Sequence, residues 1–307
     1  MFLLKLKLKN PSATSPVAMA GITSKSSDIK KYAVVTGANK GIGFEICRQL
    51  ASQGVSVVLT ARNERRGLEA VEKLKKSGLS DDYVMFHQLD VTDLPSVQSL
   101  AGFVKSKIGK LDILVSNAGV NGVADSEGGG SKSRKTEYDL AVECLQINYY
   151  GLKRTTENLL PLLELSESPR IVNISSTMKS VGSNKRAQEK LNDIKNLTED
   201  KIDEVLNEYL KDFKEGTLSA KGWPSYWGAY CVSKAAVTAY TNLLAKRYPK
   251  MLVNSLCPGW VKTDLSRHSG PLRPEEGARS PVRLALLPDG GPSGKFFDQM
   301  QMSSQLL

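Results

Sequence analysis

Short apolar runs recur along the chain, and each is followed by a polar stretch with helical spacing. Tyr32 to Val35 forms the first run and is ended by Thr36-Gly37-Ala38-Asn39-Lys40-Gly41-Ile42-Gly43; Ile42, Ile46 and Leu50 then keep helical spacing up to a stop at Gly54. Val55 to Thr60 reads as a second buried strand, and Leu68 to Leu74 sits in a charged amphipathic helix. Val84 to Leu89, ending at Asp90, is a third strand, Leu111 to Ser116 a fourth, Arg170 to Ile174 a fifth and Met251 to Leu256 a sixth. Strands separated by helix-length amphipathic stretches predict an α/β fold with a Rossmann-like, doubly wound parallel sheet covered on both faces. No period of about 20 to 50 residues repeats, which excludes a solenoid. The expected organisation is a flexible leader over residues 1–28 and a single domain over residues 29–307.

The leader differs in composition from the rest. Residues 1–27 contain no Asp or Glu, carry Lys5, Lys7, Lys9 and Lys25, and are rich in Ser and Thr, as transit segments are. Arginine is absent, however, and Met19 offers an alternative start. The expectation is an unstructured leader on a cytoplasmic protein, with a plastid address if the leader is a transit segment.

Composition removes several classes of function. At 307 residues, 40% hydrophobic and 24% charged, the chain is ordinary globular material able to bury a sizeable core. No run reaches the roughly 18 apolar residues that span a bilayer, so no membrane partner is expected. The net charge of +10 raises the question of nucleic acid, but the charges are scattered and no basic stretch is interleaved with aromatics, so none is expected. Cys47, Cys144, Cys231 and Cys257 are widely spaced, and the histidines are His87 and His268. Buried reduced thiols and no metal site follow.

The first strand-to-helix turn carries chemistry. Glycines between a buried strand and a helix let a pyrophosphate approach the backbone and rest on unpaired N–H groups at the helix N-terminus. The spacing here is T-G-x-x-x-G-x-G, with Gly37, Gly41 and Gly43. After the second strand the chain reads Thr60-Ala61-Arg62-Asn63, with no carboxylate to receive a ribose 2′-hydroxyl. Arg62 can pair with a 2′-phosphate, and Lys40 can approach the same dianion from the glycine turn, so the preferred cofactor is NADPH/NADP+.

In the second half, Tyr230 and Lys234 are four apart, just ahead of the helical pattern Ala235, Val237, Tyr240, Leu243, Leu244. That spacing puts both on one helix face, where an ammonium favours phenolate and brings a phenol toward useful acid-base range. Ser175-Ser176 ends the fifth strand, and strand C-termini are where open α/β sheets assemble their sites.

The set Thr36-Gly37-x-x-x-Gly41-x-Gly43, Asp90-Val91, Asn117-Ala118-Gly119, Asn148, Ser176, Tyr230-x-x-x-Lys234 and Pro258-Gly259 resembles the short-chain dehydrogenase/reductase superfamily, in order and over about residues 30–300. The resemblance implies roles. Tyr230 would give a proton to a carbonyl oxygen as hydride arrives, Ser176 would polarise that oxygen, and Lys234 would depress the tyrosine pKa while holding the nicotinamide ribose. Asn148 would complete a water-linked proton relay to Lys234. Asn39 and Ile42 would join the glycines at the cofactor, Asp90 and Val91 would meet the adenine, and Asn117 would support the fourth strand beside it. Pro258, Gly259, Val261 and Thr263 would cover the nicotinamide. Thr177-Met178-Lys179 lacks the glycine often found after the serine.

Ser176 and Tyr230 are 54 positions apart, far more than most of the superfamily needs. In the extra segment, about residues 181–222, Thr198 can cap a helix in which Ile202, Val205, Leu206, Tyr209, Leu210 and Phe213 recur at helical spacing. Such an insertion resembles the monomeric carbonyl-reductase branch, whose plant members include salutaridine reductases and neomenthol dehydrogenases; Ser280 to Ala285 and Pro288 to Gly294 look like its C-terminal stretch. The branch implies NADPH-dependent reduction of a ketone or aldehyde to the alcohol, in plant specialised metabolism. An extra helix packed over the face through which other members pair predicts a monomer. All three tryptophans, Trp223, Trp227 and Trp260, fall in segments expected to border the nicotinamide, and Tyr226 and Tyr149 accompany them. Tyr226, Trp227 and Trp260, with Ser176 and Tyr230, are the candidate substrate contacts for a bulky apolar terpenoid or alkaloid carbonyl. Gly128-Gly129-Gly130-Ser131 is a candidate closing loop. Two other readings remain at this point, reduction of an enone C=C bond and a non-catalytic NADPH-binding regulatory protein.

Overall fold

The computed structural model describes residues 30–123 and 135–304; the leader and the Gly128 to Ser131 stretch lie outside the described residues. Eight strands form one sheet in the order β3-β2-β1-β4-β5-β6-β7-β8. They are β1 (Tyr32–Val35), β2 (Ser56–Ala61), β3 (Val84–Gln88), β4 (Ile113–Ser116), β5 (Arg170–Ile174), β6 (Leu252–Cys257), β7 (Phe296–Asp298) and β8 (Gln301–Ser303). All neighbours are parallel except β7 and β8, which pair antiparallel at the edge. The strand order reverses between β1 and β4, and in such sheets the crevice beyond the strand ends at that point is where ligands bind.

The six strands read from the sequence match β1 to β6 to within one or two residues. The terminal β7 and β8 were not anticipated, because three residues are too few to show a period. The purely parallel sheet therefore gains one antiparallel edge strand.

Alternation along the strands builds two cores. Val34, Val58, Leu114 and Ile171 face one side, with α3 (Leu94–Lys107), α4 (Glu137–Leu145), α5 (Leu152–Leu163) and α8 (Gly228–Arg247). Ala33, Val35, Val57, Ile113 and Val115 face the other, with α1 (Gly41–Ala51), α2 (Glu64–Lys76) and α10 (Arg279–Ala285); the short α9 (Pro274–Gly277) packs beside α1. Helix α8 is buried nearly all round. Its alanines 235, 236 and 239 let sheet and helices approach from every side.

The insertion is folded. Thr198 caps α7 (Glu199–Lys214), accepting a hydrogen bond from Lys201 N at 3.2 Å, and the expected apolar stripe is buried at Ile202, Val205, Leu206 and Tyr209. A second helix, α6 (Lys185–Asn192), precedes it and was not foreseen. Helix α7 lies against α8 and α4, and its first turn is held by Glu199 to Lys153 and Arg247 at 3.1 and 2.6 Å. Where the insertion begins and ends, the Ser183 N–H donates to the Gly222 carbonyl at 2.8 Å, which closes its neck.

Candidate active site

At the first turn the backbone leaves no room for side chains. Gly37 has φ +63°, and a Cβ there would stand 2.9 Å from the Ala118 Cα; one on Gly43 would stand 2.5 Å from Asn117 Nδ2. Thr36 and Asn117 stitch β1 to β4. Thr36 Oγ1 accepts from the N–H groups of Asn117 and Ala118 at 2.9 and 3.0 Å, and Asn117 Nδ2 donates to the Thr36 and Gly37 carbonyls. Helix α1 then starts with no side-chain cap and no acid in its first turn, so the N-terminal N–H groups around Ile42 are free to meet an anion. Asn39 and Lys40 lead into that turn.

Beyond β2 and β3 lies an open depression of about 710 Å³ lined by Arg62, His87, Gln88, Asp90, Asp93 and Ser96. Among the described residues the Arg62 guanidinium has no partner, while Asn63 is occupied as the cap of α2. The Asp90 carboxylate accepts from Thr92 N and Oγ1 at 2.9 and 2.7 Å. The Val91 side chain is buried, a Cβ on Gly151 would come within 2.6 Å of it, and the Val91 carbonyl accepts from Arg154 Nη1 at 2.7 Å. A free guanidinium, an uncapped helix end and glycines at points of close approach suit a phosphorylated dinucleotide.

The catalytic candidates come together at the ends of β4 and β5. Ser176, Tyr230, Lys234 and Asn148 are all buried, and the Ser176 side chain lies beside the Tyr230 hydroxyl, on whose ionisation it acts. Lys234 Nζ lies 5.6 Å from the Tyr230 ring centroid and donates to the Ile174 carbonyl at 2.8 Å. Burial pushes the Tyr230 phenol up, only partly opposed by the neighbouring Ser176 side chain, and pushes the Lys234 ammonium down to about 8. Desolvation by burial is the largest cause of both shifts in the free protein, so the phenol there is neutral. A neutral phenol is the form that can donate a proton.

Asn148 stands in a π-helical turn, Gln146–Gly151, between α4 and α5. Such turns are frequent at functional sites, but nothing in the apolar pattern announces this one. The Asn148 side chain bonds both the N–H and the carbonyl of Val120, and its Nδ2 also donates to Ser233 Oγ at 2.9 Å. Protein groups thereby hold its amide in place. Ser233 in turn donates to the Tyr230 carbonyl at 2.7 Å. Thr36, the first residue of the glycine motif, and Ser233 act as supports for motif residues; Ser233, at an unspecified position between Tyr230 and Lys234, carries no sequence signal of its own.

Pro258 and Gly259 follow β6, with Gly259 at φ +89°. Val261 is buried and its carbonyl accepts from Ser266 Oγ, while Thr263 presses on the glycine turn, its Cγ2 3.3 Å from where a Gly41 Cβ would be. The aromatic residues divide. Trp227, at φ +49°, stacks on Tyr226 (5.5 Å), meets Tyr230 edge-on (5.6 Å) and lies 6.1 Å from Trp260. Tyr226 and Trp260 are exposed. Trp223 and Tyr149 are not cleft residues: Trp223 is buried against Tyr209 and donates Nε1–H to Asp212 at 2.8 Å, and Tyr149 is fully buried beside Tyr240. Each lies beside a motif, but its side chain faces the core. The four cysteines are free and buried.

A family model described as short chain dehydrogenase matches residues 31–188, and one described as enoyl-(acyl carrier protein) reductase matches residues 216–288. The (+)-neomenthol dehydrogenase of Arabidopsis thaliana is 54% identical over 293 residues, covering 91% of this chain and 99% of that one. Salutaridine reductase of Papaver bracteatum is 52% identical over 300 residues, covering 89% and 96%. The solved structure of salutaridine reductase from Papaver somniferum superposes with a TM-score of 0.81 at 51% identity, covering 88% of this chain and 99% of that one. With this sheet order, glycine turn and serine-tyrosine-lysine cluster, the chain belongs to the short-chain dehydrogenase/reductase family and is an NADPH-dependent oxidoreductase acting on carbonyl and alcohol groups.

Proposed function

We propose that the protein reduces a bulky, apolar cyclic ketone of the terpenoid or alkaloid kind, and that it works as a monomer. The observation that carries this reading is the buried Tyr230 flanked by Ser176 and Lys234 and meeting Trp227 edge-on, with Tyr226 and Trp260 beside it. The reduced nicotinamide, when bound, supplies hydride to the carbonyl carbon. Ser176 holds the carbonyl oxygen by a hydrogen bond, and Tyr230, kept neutral by burial, releases its proton to that oxygen as negative charge develops there. Lys234, anchored on the Ile174 carbonyl, stands by as the nearest cation to the phenolate left behind. Arg62 and Lys40 receive the 2′-phosphate, the α1 N-terminus receives the pyrophosphate, and Thr263 closes over the glycine turn.

The wall formed by Trp227 and Trp260 offers broad apolar area with few charges, suited to a cyclic hydrocarbon skeleton rather than a sugar or hydroxy acid. Relatives named for neomenthol, a terpenoid, and salutaridine, an alkaloid, support the same substrate class. The monomer rests on α7, which covers α8 and α4.

Purified protein with NADPH and a panel of terpenoid, alkaloid and small polar carbonyls tests the reaction. Tyr230→Phe is expected to lower kcat by at least about a hundredfold. NADPH binding without turnover on any member, or Tyr230→Phe equal to the parent, overturns it in favour of a non-catalytic protein. A saturated ketone as product from an enone, in place of the allylic alcohol, overturns it in favour of C=C reduction.

A further inference from the structure

The two cations assigned to the 2′-phosphate are in different states. Among the described residues the Arg62 guanidinium has no partner, whereas the Lys40 ammonium is paired with the Asp264 carboxylate. Asp264 is reached from across the groove: it follows Thr263, whose methyl packs on the Gly41 turn next to Lys40. Its position is built rather than incidental. Ser266 Oγ accepts from the Thr263 N–H at 3.1 Å and donates to the Val261 carbonyl at 2.6 Å, the Arg267 N–H donates to the Asp264 carbonyl at 2.9 Å, and the His268 N–H donates to the Thr263 carbonyl at 2.8 Å. On the opposite bank, Asn121 Nδ2 donates to the Leu265 carbonyl at 3.1 Å. The other carboxylate oxygen of Asp264 faces His268 Nε2 at 3.1 Å, and the Lys40 ammonium holds its carboxyl below the usual carboxylate range, so it is an anion. A fixed carboxylate thus sits on the ammonium that the dinucleotide's phosphate would use.

We propose that Asp264 sets the strength of coenzyme discrimination through Lys40, its carboxylate competing with the 2′-phosphate for that ammonium, so that Arg62 carries the baseline preference for NADPH. This rests on the assignment of Arg62 and Lys40 to the 2′-phosphate. Asp264 is a positioning residue here, acting on the cofactor by way of Lys40. The competition is between exposed groups, so its size is that of a surface ion pair and it weakens with salt.

The test is equilibrium binding of NADPH and NADH, followed by nicotinamide fluorescence, in the parent, Asp264→Asn, Lys40→Ala and the double variant. A parallel titration with 2′,5′-ADP and 5′-ADP isolates the phosphate. Asp264→Asn is expected to tighten NADPH and 2′,5′-ADP about three- to fivefold and NADH and 5′-ADP less than about twofold. The gain should disappear in the double variant and shrink at high salt. Both side chains are exposed, and a thermal melt of each variant verifies folding. Equal changes for the two cofactors, weaker NADPH binding, or a gain that survives loss of Lys40 overturns the proposal. A parent that binds NADPH no tighter than NADH overturns the 2′-phosphate assignment and this proposal with it, whereas a preference kept by the parent and unmoved by Asp264→Asn overturns this proposal alone.

Discussion

The side-chain amide of Asn148 and the backbone of Val120 hold each other through two hydrogen bonds: Oδ1 accepts from the Val120 N–H at 2.8 Å, and Nδ2 donates to the Val120 carbonyl at 2.9 Å. Val120 belongs to the segment leaving β4, and the same amide reaches Ser233 on α8. Asn148 therefore ties the floor of the cofactor groove to the helix that carries Tyr230 and Lys234. Gly119 is part of this arrangement, since a Cβ there would stand 3.2 Å from Asn148 Oδ1 and 3.6 Å from Lys234 Nζ.

Removing that amide leaves buried backbone groups without partners. Asn148→Ala is expected to destabilise the fold by about 2–3 kcal/mol in urea denaturation, together with a loss of kcat. Asn148→Asp is close in shape but turns a donor into an acceptor facing the Val120 carbonyl, so it should destabilise at least as much. An Asn148→Asp variant as stable and active as the parent would show that the amide is not the tie.

Lys234 makes stability depend on pH. Its folded-state pKa of about 8 lies below its ordinary 10.5, so between those values the unfolded chain binds the proton and the folded one does not, and stability rises with pH. Below about 8 both states are protonated and the desolvation penalty, about 3 kcal/mol, is fully present. Lys234→Met, inactive but free of that penalty, is expected to melt above the parent at pH 7, with the gap closing as pH approaches 10. Parallel melting curves for the two proteins across pH 7–10 would contradict this assignment.

How much was legible in the sequence follows from what leaves a local mark. Strands β1 to β6 are apolar runs between turn residues, and the glycine turn is demanded by backbone geometry, so both could be read directly. The Tyr230-Lys234 spacing is a local helical period. The π-helical turn at Asn148 changes the hydrogen-bond register without changing the apolar pattern, and so stayed hidden. The Lys40-Asp264 pair joins residues 224 apart in sequence, which no local period encodes. Trp223 misled for the opposite reason: it lies near Tyr230 in sequence, but Asp212, an acid on the otherwise apolar face of α7, draws its indole into the core. The pKa directions also depend on burial on all sides of α8, which is a tertiary property.

The insertion should keep the protein monomeric. Helix α7 covers α8 and α4, burying Ile202, Val205, Leu206 and Tyr209 there, and the Ser183–Gly222 neck lets the segment be removed as a unit. Light scattering at micromolar concentration is expected to give a monomer of 33.5 kDa. Replacing residues 184–221 with a short Gly-Ser linker should expose an apolar face on α8 and cause self-association. A parent that is a stable dimer, or a deletion variant that remains monomeric and folded, would remove the insertion's part in setting oligomeric state.

The two tryptophans flanking Tyr226 in sequence offer a paired test of the substrate wall. Trp227 stands at the N-terminal end of α8 with φ +49°, a backbone region costly for a bulky side chain. Its ring contacts with Tyr226, Tyr230 and Trp260 accompany that strained backbone at the mouth of the site. Trp227→Ala is expected to lower the ratio of kcat/KM for a monoterpenoid ketone to that for a small polar aldehyde by about tenfold, the scale of one lost apolar contact surface. Trp223→Phe keeps the packing against Tyr209 but removes the Nε1–H that Asp212 accepts, leaving a fully buried carboxylate with Lys221 as its remaining side-chain partner. That variant should lose about 1–3 kcal/mol of stability with the selectivity ratio unchanged. The reverse outcome, selectivity moved by Trp223→Phe and untouched by Trp227→Ala, would place the substrate against the insertion rather than against the Trp227–Trp260 wall.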